Sequence, residues 1–210
     1  MMKQSKKISL LIIFTLIFGV IAIFHESRLG RWIDTEVYEF IYTTESFITT
    51  ALMLGFTQLG EVLSMILLSL LVIAVLMLYR LNFHTLFFVI AMTLSSILIP
   101  VLKNSFDRER PVILRLIEIG GFSFPSGHAM GSTIFFGSLM TLIRHSKLEY
   151  KAALIGVCAA FIIMVSSSRV YLGVHYPTDI IAGIVAGAVV VTFTSIVMHK
   201  KLKPSPYSLV

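Results

Sequence analysis

The sequence predicts an all-α, polytopic membrane protein with six transmembrane helices and its candidate site at the outer ends of those helices. Three observations carry this. Of 210 residues, 57% are hydrophobic and only 13% are charged, whereas a soluble domain is nearer half apolar and a quarter charged. The apolar residues fall into six long runs. The polar residues suited to chemistry gather in three clusters, each at the end of a run and all on one side of the predicted bundle.

A helix that crosses a bilayer needs about 20 mostly apolar residues. The six runs are 8–24, 62–79, 83–102, 128–143, 152–167 and 178–198. The first follows Lys3, Lys6 and Lys7, as a signal peptide would. It is long for a signal core and no small-residue cleavage site follows it, so it reads as a retained helix. The chain leaves no room for a second folded unit, and residues 1–210 read as one membrane-embedded domain.

Orientation follows from lysine and arginine. With the N-terminus cytoplasmic and six crossings, the inner segments hold Lys3, Lys6, Lys7, Arg80, Arg144, Lys147, Lys151, Lys200, Lys201 and Lys203, against one acid, Glu149. The outer segments hold Arg28, Arg31, Lys103, Arg108, Arg110, Arg115 and Arg169 among all the other acids. Both termini are therefore expected in the cytoplasm, and Ser105 and Ser123 in exposed outer loops. A net charge of +6 can signal nucleic acid. Here the cations flank apolar runs, so topology explains them and no nucleic-acid partner is read.

Between the first two runs, Ile33, Val37, Phe40, Ile41 and Ile48 recur at roughly helical spacing, with Asp34, Glu36 and Glu39 between them. Two placements fit equally: a helix lying in the outer interface, or one packed over the end of the bundle. Residues 112–124 form a second mixed apolar loop, and the tail after Lys203 reads as disordered. Cys158 sits alone within a run as a packing residue. Gly183 and Gly187 form a small-xxx-small pair suited to close packing inside the bundle. His25, His84, His145 and His199 carry no functional assignment.

The clusters run Lys103 to Pro111 with Arg110, Pro125 to His128, and Ser168 to Asp179 with Arg169 and His175. Cations crowded on one surface repel, and a bound anion relieves that. Arginine offers phosphate a planar fork and lysine a point charge. Ser126 and Gly127 precede an apolar run. Serine caps a helix, glycine admits a ligand to the backbone, and the helix N-terminus favours phosphate. Pro177 suits a first helical turn, which puts Asp179 within reach of His175. A carboxylate on one ring nitrogen leaves the other as a nucleophile. Taken singly, Pro-Ser-Gly-His is an ordinary capping turn, and the His175–Asp179 pair is equally a helix cap beside an interfacial histidine.

Together, Lys-x6-Arg-Pro, Pro-Ser-Gly-His and Ser-Arg-x5-His-x3-Asp resemble the pattern of the type 2 phosphatidic acid phosphatase superfamily of membrane lipid phosphatases, from about residue 102 to Asp179. The resemblance implies a metal-independent enzyme without cofactor. Lys103, Arg110 and Arg169 would bind the phosphate, with Ser126 and the Gly127 N–H adding hydrogen bonds. His175 would attack phosphorus and become phosphohistidine, and Asp179 would orient it. His128 would protonate the leaving oxygen and then activate water. The partners implied are a lipid phosphate and the bilayer, and the motifs leave phosphatidylglycerol phosphate, phosphatidic acid and undecaprenyl diphosphate open. Two alternatives stand beside hydrolysis: lipid phosphotransfer to an alcohol on the same scaffold, and non-catalytic anion or lipid transport.

Overall fold

The computed structural model describes residues 3–112 and 115–199. The basic residues Lys200, Lys201 and Lys203 and the tail beyond them lie outside the described residues. Eight helices follow one another among the described residues: α1 Gln4–Phe24, α2 Arg28–Tyr42, α3 Phe47–Leu59, α4 Val62–Leu78, α5 Asn82–Phe106, α6 Gly127–His145, α7 Lys151–Tyr171 and α8 Pro177–Val197. By length and composition, α1, α5, α7 and α8 can each cross a membrane, and α3 with α4 adds a fifth span if that pair, bent by 56°, counts as one.

The start signals are local. Ser27 caps α2 by accepting from Gly30 N at 3.1 Å, and Ser46 caps α3 by accepting from Thr49 N at 3.1 Å. Pro177 opens α8, and Asp179 reaches back to accept from Tyr176 N at 2.9 Å. Helix α5 runs through Pro100 and ends at Asp107, whose φ of +40° turns the chain left-handed. Lys103 is thus in the last helical turn, where a cation suits the helix dipole.

Helix α6 forms the middle of the bundle, packed by α5, α7 and α8. It matches the run expected at 128–143 yet falls short of the apolarity of a lipid-facing span. The reason is its burial: Ser132, Thr133 and Ser138 are buried there against protein, and a helix walled by other helices does not need an apolar surface. Lipid tails are as apolar as leucine, so helices in a membrane associate through close packing. Gly187 supplies it, since a Cβ there would lie 2.6 Å from Thr133 Cβ and 2.9 Å from Met130 O. The glycine pair seen in the sequence thus packs α8 onto α6 internally. Phe88 and Phe135 meet edge-on at 5.5 Å, Phe136 stacks on Phe161 at 5.2 Å, and Cys158 is buried in the same cluster. Helix α1 joins α8 at one end, where Lys7 Nζ donates to Ser195 Oγ at 2.6 Å. At its other end His25 stacks on Phe124 at 4.3 Å.

The segment between the first two runs differs from expectation. It holds two helices, broken by the turn after Tyr42, and the second, α3, is apolar and packs on α7. Helix α2 turns Gly30 and Asp34 inward and buries them, while Leu29, Trp32, Val37 and Phe40 point outward. Of the anticipated stripe, Val37 and Phe40 face away from the bundle, while Ile41 packs into it beside Val170 and Ile180 and Asp34 is buried with it. Asp34 has a partner there, which is why an acid can turn inward.

Candidate active site

The three polar clusters converge where α5 and α7 end and α6 and α8 begin. His175 lies in the connection between α7 and α8, only 1% exposed. Its Nε2 is 3.0 Å from Arg110 Nη1. Its Nδ1 is 3.3 Å from Asp179 Oδ2 and 3.2 Å from Ser123 Oγ. A guanidinium only donates, so Nε2 is the unprotonated nitrogen and Nδ1 carries the hydrogen. Burial lowers the pKa of His175 to about 4, with the hydrogen bond to Asp179 and its charge opposing, and Arg110 and Lys103 adding to the fall. The ring is neutral at ordinary pH.

Asp179 is fully buried. Its Oδ1 accepts from Arg108 Nη1 at 2.6 Å, and its Oδ2 accepts from Ser123 Oγ at 2.5 Å and Tyr176 N at 2.9 Å. Arg108 extends the network. Its Nη2 donates to Asp34 Oδ2 at 2.7 Å, and Asp34 also accepts from the Thr178 N–H and hydroxyl, each at 2.9 Å. Burial opposes the Arg108 charge, but Asp179 and Asp34 outweigh it and hold the pKa above the ordinary value. A chain of charges thus links α2 to the histidine.

Three further cations face one cavity. Lys103 Nζ donates to Phe122 O at 2.8 Å. Arg110 donates to Gly121 O at 2.9 Å and Val174 O at 2.8 Å. Arg169 donates to the hydroxyl of Thr57 on α3, and among the described residues its buried Nε has no hydrogen-bond partner. Among the described residues none of these three is in a salt bridge, which leaves their charge for a bound anion. His128, in the first turn of α6, sits 3.3 Å from Glu61 through Nε2. Lys103, Arg110, Arg169, His175, His128 and Gly127 all line a single cavity of about 600 Å³ that continues between α4 and α5 past Met65, Ile66, Ile99 and Ile73. Among the described residues no group of three or more His, Cys, Asp or Glu side chains could hold a metal ion.

The predicted residues are therefore brought together, with one distinction. Ser126 is fully buried and its Oγ accepts from Ala129 N at 3.4 Å as the cap of α6. Ser123, read as an exposed loop position, is fully buried on Asp179. Sequence reasoning passed over Arg108, Asp34, Ser123, Thr57 and Glu61. Arg108 carried a signal, being a second fork two residues before Arg110 in the same cluster. Thr57 and Glu61 carried a weaker one, as polar residues closing an otherwise apolar stretch.

A helical membrane bundle that gathers cations and two histidines around one cavity has the architecture of a membrane phosphatase. The comparisons with known proteins agree. The chain belongs to the PAP2 superfamily, whose sequence model matches residues 84–203. It is 37% identical over 145 residues to phosphatidylglycerophosphatase B of Bacillus subtilis, covering 64% of this chain and 68% of that one. It is 34% identical over 103 residues to an undecaprenyl-diphosphatase of Sulfolobus acidocaldarius, covering 48% and 47%. It is 32% identical over 130 residues to a lipid A 1-phosphatase of Rhizobium johnstonii, covering 55% and 50%. The chain thus spans about half the length of the latter two. In fold it is similar to the crystal structure of a transmembrane PAP2-type phosphatidylglycerolphosphate phosphatase from Bacillus subtilis, with a TM-score of 0.84 at 24% identity, covering 90% of this chain and 96% of that one.

Proposed function

We propose that the protein is a multi-pass cell-membrane enzyme that hydrolyses lipid phosphates at the outer face through a phosphohistidine on His175. The observation that carries this reading is the shape of the cavity. Its head holds Lys103, Arg110, Arg169, His128 and His175, and its body is an apolar groove between α4 and α5. From Glu61 to Ile73 the groove wall is roughly 18 Å long at about 1.5 Å per residue. A phosphate carried on an apolar tail fits both parts, and a free sugar phosphate fits only the head.

In the first step Nε2 of His175 attacks phosphorus. The bond to the leaving oxygen breaks, and His128 gives that oxygen a proton. Lys103, Arg110 and Arg169 neutralise the charge on the equatorial oxygens, the work cations do in phosphoryl transfer. The Gly127 N–H at the start of α6 adds a donor, and the Ser126 hydroxyl can cap its helix with a lone pair while turning its proton to the phosphate. In the second step His128 takes a proton from water, whose oxygen displaces the histidine. Asp179 stays ionised and stabilises His175 while it is positively charged. In this reading α1, α4, α5, α6, α7 and α8 make six passes, both termini are cytoplasmic, and the whole chain acts as one membrane domain. Phosphatidylglycerol phosphate is the first substrate to test, because the B. subtilis relative is a phosphatidylglycerophosphatase; undecaprenyl diphosphate and phosphatidic acid follow.

The test is phosphate release by purified protein from these three lipids and from glucose 6-phosphate. Release from a lipid, lost in His175→Ala, supports the reading. Release from glucose 6-phosphate alone would overturn it.

A further inference from the structure

We infer that Glu61 is a positioning residue for His128, holding its ring and supplying the negative charge that lets it act as an acid. This rests on the assignment of His128 as the proton donor and goes beyond it. The bend between α3 and α4 falls at Gly60 and Glu61, and that bend is pressed against His128. A Cβ on Gly60 would lie 2.5 Å from His128 Cδ2 and 2.8 Å from Val165 Cγ1. Only glycine lets the backbone come this close, and the approach delivers the next side chain to the ring.

Glu61 Oε1 then lies 3.3 Å from His128 Nε2, an ion-pair distance at which the pair is not aligned as a hydrogen bond. Its position offers the carboxylate a simpler task, because Glu61 is the N-cap of α4, yet its side chain makes no capping hydrogen bond. The carboxylate faces the cavity and the histidine instead.

The surroundings explain why a carboxylate is needed. Around His128, α5 brings Lys103, the loop after it brings Arg110, α7 brings Arg169, and the connection to α8 brings His175. All the charged groups among these are cations, and a proton-donating imidazolium would be one more. Asp179 lies on the far side of His175, where Arg108 and Ser123 engage it. Glu61 is the acid that lines the cavity among the described residues. With Nε2 facing the carboxylate, Nδ1 is left to pass its proton to the leaving oxygen.

The experiment measures the first chemical step by single turnover for wild type, Glu61→Gln, Glu61→Asp and His128→Gln, on phosphatidylglycerol phosphate and on p-nitrophenyl phosphate. A lipid alcohol leaves poorly and needs the proton, whereas nitrophenolate does not. For Glu61→Gln we expect a loss of about ten- to a hundredfold on the lipid, within the range of general acid catalysis, and less than about threefold on p-nitrophenyl phosphate. The alkaline limb of the lipid reaction should move to lower pH, and Glu61→Asp should restore part of the rate. Equal losses on both substrates, or an unmoved alkaline limb, would leave Glu61 a structural residue and overturn the inference. His128→Gln losing both substrates equally would overturn the acid role of His128, and the role of Glu61 with it. Selective loss in His128→Gln without loss in Glu61→Gln would remove Glu61 alone.

Discussion

Arg110 Nη1 lies 3.0 Å from His175 Nε2, so a cation proposed to bind phosphate rests on the lone pair proposed to attack phosphorus. The contact fixes the tautomer before substrate arrives. In the proposed reaction Arg110 exchanges the ring for a phosphate oxygen when substrate binds, a movement its anchor on Gly121 O would keep short.

That double duty makes Arg110→Lys a severe change. Lysine keeps the charge but loses the planar fork, and so cannot bond Gly121, Val174 and phosphate from one group. The expected outcome is a fall of about a hundredfold in kcat/KM on a lipid phosphate, near the loss that misplacing a reacting group by about 1 Å brings. His175→Ala should remove turnover altogether while the protein still elutes as a folded species in detergent. Near-normal phosphate release by His175→Ala would exclude a phosphohistidine on that residue.

The pH dependence follows from the same ring. A free histidine titrates near about 6.5, but burial takes His175 to about 4. The attacking form is the neutral one, so the acid limb of kcat/KM should fall near pH 4 instead of 6.5. With the alkaline limb set by deprotonation of His128, the profile should be a bell with its maximum between mildly acid and neutral pH. Stability follows the same sign: because the folded pKa is depressed, the unfolded chain binds the extra proton first as pH drops below about 6.5. The contribution of His175 is therefore fully present above that pH and lost as pH falls through about 4. An acid limb at 6.5 in a pH–rate profile would show that the ring is not buried in the working enzyme.

Arg108 joins two buried carboxylates, Asp34 and Asp179, at 2.7 and 2.6 Å. Removing one partner of a buried ion pair costs about 3–5 kcal/mol, because the other charge is left uncompensated. Arg108→Leu leaves two such charges and should unfold at markedly lower temperature in detergent. The double variant Arg108→Leu/Asp34→Asn should recover part of that loss, since one orphan is gone, without recovering activity, since Asp179 still lacks its donor. A single variant as stable as wild type would mean that water enters and solvates the carboxylates.

Much of this site was legible because the motif residues act through their side chains at fixed offsets from helix ends. Lys103, Arg110, His128, Arg169, His175 and Asp179 could be picked out because their three clusters together resemble one family pattern, each cluster being ambiguous alone, and the fold brings them together. The supporting residues were not, since each depends on a tertiary contact. Asp34 looked like part of a solvated stripe, and only the position of Arg108 turns it inward. Glu61 looked like the end of a loop, and only the bend after α3 sets it on His128. The span count was harder to read for a related reason: the apolarity of α6 is diluted because its neighbours are helices, and the α3–α4 pair is bent by 56°.

Gly60 tests that bend directly. In Gly60→Ala the new methyl meets the His128 ring and the Val165 side chain. Both can yield, so the fold should survive with a modest drop in melting temperature. The ring cannot yield without leaving its place. Activity on a lipid phosphate should fall by about ten- to a hundredfold, with a smaller loss on p-nitrophenyl phosphate. An unchanged lipid rate would mean that the backbone at the break shifts to accommodate the methyl.

The sidedness of the enzyme decides which leaflet supplies its substrate. Basic residues favour the cytoplasmic side, and among the described residues Arg80, Arg144, Lys147 and Lys151 lie at helix ends remote from the three clusters. The cavity should then open outward. Ser105 offers a clean probe, because it is exposed on the last turn of α5 and its hydroxyl donates to Val101 O in its own helix. Ser123 is unsuitable, being buried on Asp179. With Cys158 replaced by alanine, a cysteine at Ser105 should react in intact cells with a membrane-impermeant thiol reagent, and a cysteine at the exposed Lys147 should react only after the cells are opened. Phosphate release from a lipid confined to the outer leaflet of vesicles carrying right-side-out protein should accompany the first pattern. The reverse labelling would turn the active site to the cytoplasm and rule out an outer-leaflet substrate.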